Sequence, residues 1–182
     1  MSADKPLVPQ GPQLLAPVPA RLVAVTLVLA FILTLLPWPD EVAWLVPDFT
    51  LVALLYWSIV APRRAGLGVA FGLGLLGDAT HGLWMGQYAL SYVLSVYIAL
   101  SLQRRLENFP LFGRALHLAP ILIGQSLLVL LTGAWLGAHE TDWRFLAGGL
   151  VAALIWLPVA ILLDRVSGRP AILLADSPHE IK

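Results

Sequence analysis

A chain of 182 residues has the length of one ordinary domain, yet 59% of it is apolar, 12% is charged and the mean hydropathy is +0.83. That is too little polar material to cover a water-facing globule. Eleven Lys and Arg balance eleven Asp and Glu, a charge balance that points neither to nucleic-acid binding nor to a generally acidic partner. The absence of cysteine excludes disulfides, thiolate metal ligation and a Cys nucleophile.

The first twenty residues, with Pro6, Pro9, Pro12, Pro17 and Pro19, read as a disordered cytoplasmic tail with nothing to bury. A spanning helix needs roughly 20 mainly apolar residues, and six segments supply them. The first runs from Leu22 to Trp38 and ends at Pro37-Trp38-Pro39. Its apolar run is longer than a typical signal-peptide core and no small-x-small cleavage site follows, so it reads as a retained anchor. The second extends from Val42 to Ala61, interrupted by Pro47-Asp48, and stops at Pro62-Arg63-Arg64. Between Ala65 and Gln103 the only ionisable groups are Asp78 and His81, in a stretch too long for one helix. The spacing predicts a turn at Asp78-Ala79-Thr80-His81-Gly82, between a third helix over Ala65–Gly77 and a fourth over Trp84–Leu102. A fifth covers Ala115–Gly137 and a sixth Arg144–Leu163. Residues 21–166 are thus expected to form one all-α bundle of six transmembrane helices, flanked by the tail 1–20 and a short cytoplasmic tail 167–182.

Orientation follows from the basic residues. With the N-terminus inside, Lys5, Arg21, Arg63, Arg64, Arg104, Arg105, Arg114, Arg165, Arg169 and Lys182 face the cytoplasm and Arg144 alone lies outside. Six spans return the C-terminus to the cytoplasm. Trp38, Trp44, Trp84, Trp135 and Trp143 cluster near the outer turns, at the depth where tryptophan anchors a bilayer interface.

Gly66, Gly68, Gly72, Gly74 and Gly77 crowd the third helix, and Gly68 with Gly72 forms a small-x-x-x-small pair that permits close helix approach. This predicts a central position for that helix. Carboxylates at membrane depth are costly, at least about 2.5 kcal/mol on insertion scales, so Asp48 and Asp78 are the main candidates for function. Each reads either as a helix cap or hydrated interfacial group, or as part of a buried polar network or partner contact. Gln87 and Gln125 suit interhelical hydrogen bonds, and Ser91 shares a helix face with Gln87. His117, one turn past Arg114, is expected at the cytoplasmic interface, and Asp164-Arg165 at a solvated helix end.

Catalytic motifs are absent: there is no Gly-x-Ser-x-Gly elbow, no His-Glu-x-x-His pair and no Gly-Lys-Ser/Thr phosphate loop. The spacing of Asp48, Asp78 and His81 does not require acid-base chemistry. No metal, nucleotide or organic cofactor is implied.

The order of several pieces resembles the bacterial rod shape-determining MreD family. They are Pro47-Asp48-Phe49, Tyr56-Trp57, Arg63-Arg64, the glycine-rich run from Gly66 to Asp78, Gly86-Gln87-Tyr88 through Tyr92, Phe109-Pro110-Leu111 and Gly124-Gln125. The resemblance extends from Leu22 to Arg165. It implies a non-enzymatic adaptor in the cell-elongation machinery of the bacterial inner membrane, a partner of an MreC-like bitopic protein and, through it, of MreB-like filaments and peptidoglycan synthases. It also implies a fold similar to the substrate-binding membrane subunits of energy-coupling-factor transporters, and hence the alternative of a small-molecule-binding transport subunit. Ala20 and Ala24 match the small-residue docking motif of those subunits, a weak sign in so Ala-rich a chain. On this reading Asp48, Asp78, Gly72, Gly74, Gly77 and Gln87 are the expected partner-binding or structural residues.

Overall fold

The computed structural model describes residues 18–81, 86–106, 108–135 and 143–169. Among these residues the chain is all helical: α1 (Ala20–Leu35), the single turn α2 (Asp40–Ala43), α3 (Phe49–Val60), α4 (Leu67–His81), α5 (Gln87–Leu106), α6 (Leu111–Trp135) and α7 (Leu146–Val166). A 3-10 turn over Trp143–Phe145 leads into α7. Of the expected tails, residues 1–17 and 170–182 lie outside the described residues, as do Gly82, Trp84, Gly137, Glu140 and Asp142; Val18, expected in the tail with nothing to bury, is part of the core, and Ala20 begins α1.

The second apolar segment is not one helix. Pro47 has no N–H to donate and disfavours helical backbone at Val46, so α2 stops and the chain restarts at Phe49 with Asp48 as its N-cap. The helix expected to stop at Gly77 continues to His81, through the residues predicted to turn. Asp78 therefore sits on a helix and not in a loop. α6 begins at Leu111, four residues before the expected start, and carries Pro120 within it.

Helices α3, α5, α6 and α7 close a ring in which each packs on the next. α1 lies outside the ring against α3, and α4 outside it against α5. The central helix is α3, in which every residue from Thr50 to Ile59 is buried. The glycine-rich α4 is peripheral, contrary to the expectation from its composition. Its glycines divide by face: a Cβ at Gly74 would collide with the backbone of Ala89 on α5, and one at Gly77 would lie 3.6 Å from the Tyr88 side chain. Gly68 and Gly72 are exposed with no atom within 4 Å of the Cβ position, so this pair does not pack inside the bundle.

Cross-helix hydrogen bonds tie the two ends of the bundle. Tyr56 to Asp164 (2.6 Å) and Gln103 to the Ile59 oxygen (3.2 Å) join one end, the end that carries Arg63, Arg64, Arg104, Arg105, Arg114, Arg165 and Arg169. Asp164 is 6% exposed and forms part of the core, not of a solvated terminus. Thr34 to Thr50 (3.0 Å) and Gln87 to the Val129 oxygen (2.6 Å) join the opposite end.

The core is largely apolar and so is much of the exterior, unlike the surface of a water-soluble domain. Thr50, Ser58, Asp78, Ser91, Gln125 and Asp164 are buried, whereas Leu154, Leu116, Tyr97 and Leu162 are exposed. Two segments, Leu111–Trp135 and Trp143–Val166, are long and apolar enough on their own to cross a membrane; α1, α3 and α4 are shorter apolar helices.

The two glycine faces predict opposite outcomes for one substitution. Gly74→Leu should cost at least about 1 to 3 kcal/mol through overpacking against α5, while Gly72→Leu should leave folding unchanged. Thermal unfolding of the two purified variants in mild detergent compares them directly; equal stability would contradict the packing of α4 on α5.

Candidate functional site

The first two turns of α5 gather most of the polar side chains singled out in the sequence. Like any helix, α5 begins with N–H groups that have no intrahelical acceptor. Asp78, fully buried on α4, supplies the acceptors: its Oδ1 takes the Tyr88 N–H at 2.6 Å, and its Oδ2 takes the N–H of Gly86 at 2.8 Å and of Ala89 at 3.3 Å. A carboxyl from one helix thus caps the start of the next. Gly86, with φ of +108°, provides the left-handed backbone that turns its N–H toward Asp78. Gly74 and Gly77 let α4 approach closely enough for this contact.

The start of α3 is satisfied in the same manner from two sides. The Asp48 Oδ1 accepts from the Leu51 N–H at 3.0 Å, and Thr34 Oγ1 on α1 accepts from the Thr50 N–H at 3.2 Å. The second carboxyl oxygen of Asp48 accepts from the buried Tyr92 hydroxyl at 2.6 Å. Tyr92 in turn meets Tyr88 edge to face, with ring centroids 5.9 Å apart. Asp48 and Asp78, 30 residues apart in sequence, are therefore linked through α5: Asp78 holds its backbone and Asp48 holds its second tyrosine.

Gln87 extends this cluster toward α6. Its Nε2 donates to the Val129 carbonyl at 2.6 Å, while its Oε1 is buried without a hydrogen-bond partner. Of the expected residues, Asp48, Asp78, Gly74, Gly77 and Gln87 thus come together around the start of α5, and Gly72 stands apart on the outer face of α4. A cavity of about 270 Å³ lies beside the cluster, bounded by Asp48, Tyr88, Gln125 and Ser126 and roofed by the α1–α3 connection.

Sequence reading passed over Tyr88 and Tyr92 as site residues, although their i, i+4 spacing places both on one helix face. It also passed over the pair Tyr56 and Asp164, which carries no local signal because its members are 108 residues apart. His117 sits near the basic end, with Nδ1 2.8 Å from the Gly113 oxygen and its ring stacked on Phe109. No group of three His, Cys, Asp or Glu side chains among the described residues could hold a metal ion. The arrangement acts as a set of hydrogen-bond clamps that fix helix ends and registers.

Removing these clamps should grade with the number of bonds lost. Tyr92→Phe deletes one hydrogen bond to a carboxyl group, an expected loss of about 1.5 to 3 kcal/mol. Asp78→Ala strands three N–H groups and should cost more, with Asp78→Asn between the two because its amide oxygen can still accept. The midpoints of thermal unfolding in detergent give the order; an Asp78→Ala protein as stable as wild type would exclude the capping role.

Residues 18–166 match the family of the rod shape-determining protein MreD. The rod shape-determining protein MreD of Haemophilus influenzae is 30% identical over 139 residues, which cover 76% of this chain and 86% of that protein. No solved structure matches the chain. The family match includes every element from α1 to α7 and all the clamp residues described above, and the chain belongs to the MreD family of rod shape-determining membrane proteins.

Proposed function

We propose that this protein is a non-enzymatic, six-span adaptor of the bacterial inner membrane, with both termini cytoplasmic, that holds partners of the cell-elongation complex. Those partners are an MreC-like bitopic protein and, indirectly, MreB-like filaments and peptidoglycan synthases. The observation that carries the reading is the distribution of polar groups: the buried carboxyls cap helices and clamp tyrosines, while the outer surface is apolar helix. Such a bundle offers partner helices a rigid, lipid-facing scaffold. Family membership supplies the cell-shape context. Basic residues gathered at one end agree with the orientation by the positive-inside rule.

Gly72 is the candidate contact on the outer face of α4, because its open Cβ position lets another helix come close. Asp48 and Asp78 support the partner surface through the register of α3 and α5. A second reading, a small-molecule-binding subunit of a vitamin-type transporter, is favoured by the cavity of about 270 Å³ beside Asp48.

Gly72→Leu should leave a stably inserted protein that fails to co-purify with its bitopic partner and yields rounded cells. Asp48→Ala should give the same phenotype. Normal rod shape with either variant, together with co-purification of an energising ATPase and a stabilising ligand, would favour the transport reading. Single cysteines in this cysteine-free chain test the topology: impermeant reagent should label a site at Glu41 in intact cells and spare sites at Arg63 and Arg104. Labelling at Arg63 would overturn the six-span arrangement.

A further inference from the structure

The outer side of the α5–α6 seam carries a feature that the adaptor reading does not use. A groove of about 400 Å³ runs along it, walled by Leu94, Ile98 and Leu102 of α5 and by Pro120, Ile121 and Leu128 of α6. The lining is aliphatic almost throughout, and the Ser95 hydroxyl within it is already bonded to the Ser91 oxygen at 2.7 Å. Gly124 widens the groove, with no atom within 4 Å of its Cβ position. Toward the basic end of the bundle the chemistry changes. On α5 the stripe Leu94, Ile98, Leu102 continues at helical spacing to Arg105, which is exposed in the last turn of the helix. On α6 the lining ends at His117. Its Nδ1 faces the Gly113 carbonyl, which can only accept, so Nδ1 carries the proton and Nε2 is the remaining polar atom of the ring.

We propose that this groove holds one acyl chain of an anionic phospholipid, with the phosphate of the head at Arg105 and His117. Length, width and charge select this occupant. From Leu128 to His117 on α6, and equally from Leu94 to Arg105 on α5, the helix rises about 16 Å, close to half of a bilayer core about 30 Å thick. The groove therefore matches the hydrocarbon depth of a single leaflet. α5 and α6 pack directly on one another, and helices in such contact stand about 8–10 Å apart. A third helix, about 10 Å or more across, is too wide to reach the floor at Ile121 and Gly124, whereas a single hydrocarbon chain enters. The end where the head would lie carries Arg104 and Arg105, and the one carboxyl there among the described residues, Asp164, is buried and bonded to Tyr56. A negative head thus meets cations without an opposing exposed carboxylate among those residues. The lipid belongs to the leaflet at the basic end, which is the cytoplasmic one in the orientation proposed above.

The test places the full chain in lipid nanodiscs with two probes that share one photoreactive acyl chain, phosphatidylglycerol and phosphatidylcholine, and reads the labelled peptides by mass spectrometry. Wild type should be labelled saturably within 94–102 and 117–128, about fivefold better by phosphatidylglycerol, the effect of one arginine near an anionic head. A photoreactive group at the chain terminus should mark the end near Leu94 and Leu128, and one beside the glycerol should mark Leu102 and His117. Arg105→Gln, a change at an exposed side chain, should abolish the preference between heads and leave thermal stability unchanged. Gly124→Phe, which fills the groove, should suppress labelling by both probes; Arg105→Gln decides the question if that variant does not fold. Non-saturable labelling, equal labelling of wild type by the two probes, or a preference unchanged in Arg105→Gln would overturn the proposal. Protection of the groove by a second copy of the chain would also overturn it, by assigning the groove to a helix. None of these readouts depends on partner binding or on the direction of insertion, so the adaptor reading stands or falls separately.

Discussion

The open N-terminus of a helix inside an apolar bundle is the constraint on which this structure turns. In water the unused N–H groups of a first turn are solvated at little cost; away from water each must find an acceptor in the protein. α3 and α5 both start beneath the surface of the bundle, and each is completed by a side chain from another helix: Thr34 reaches α3 from α1, and Asp78 reaches α5 from α4. The caps are therefore tertiary contacts. Losing one exposes backbone and separates two helices at once, so the local and global stability of this bundle are tied together through a handful of oxygens.

The same economy fixes the position of the core helix. α3 is held at one end by Asp48, which binds both its own first turn and Tyr92 of α5, and at the other by Tyr56 and Asp164 of α7. Between these points it presents a full circumference of buried side chains, with Trp57 donating to Thr26 of α1 at 2.8 Å. Dispersion packing alone would let an apolar helix slide or rotate among apolar neighbours, because one aliphatic contact resembles another. Directional bonds at both ends remove that freedom.

Much of this architecture is legible in the sequence, and the illegible part has a physical origin. Hydropathy gives the all-helical, apolar character because filling an apolar layer demands runs of apolar residues, and Pro47-Asp48 marks the break before α3 because proline and a capping carboxyl act locally. Helix placement is another matter. In a soluble protein an amphipathic stripe tells which face is inside; here outward-facing and core-facing residues are both apolar, so α3 and α4 look interchangeable. The glycines of α4 misled for the same reason, since Gly74 faces α5 and Gly72 faces outward with identical side chains. Asp164 beside Arg165 looks like a solvated end, and its partner Tyr56 is unpredictable from spacing. Among the clamp residues, Asp48 and Asp78 were recoverable because a carboxyl in such a chain demands an explanation, while Tyr88 and Tyr92 were not, because a tyrosine does not.

The cavity near Asp48 follows from the broken second segment. α3 has 12 residues and is about 18 Å long at 1.5 Å per residue, against about 30 Å for a bilayer core. The α6 helix across the ring from it has 25 residues and is about twice as long. A short core helix among longer neighbours leaves a recess above its N-terminus, and the connection from Leu36 to Pro47 bends over that recess without filling it. Gly148 brings α7 against this connection, since a Cβ there would lie 2.9 Å from the Val46 oxygen. The carboxyl that caps α3 must, by its position, also face the recess. One proline thus has three linked consequences: it keeps α2 and α3 from joining, it leaves a new helix start for the Asp48 carboxyl to cap, and it opens a polar chamber beside that carboxyl.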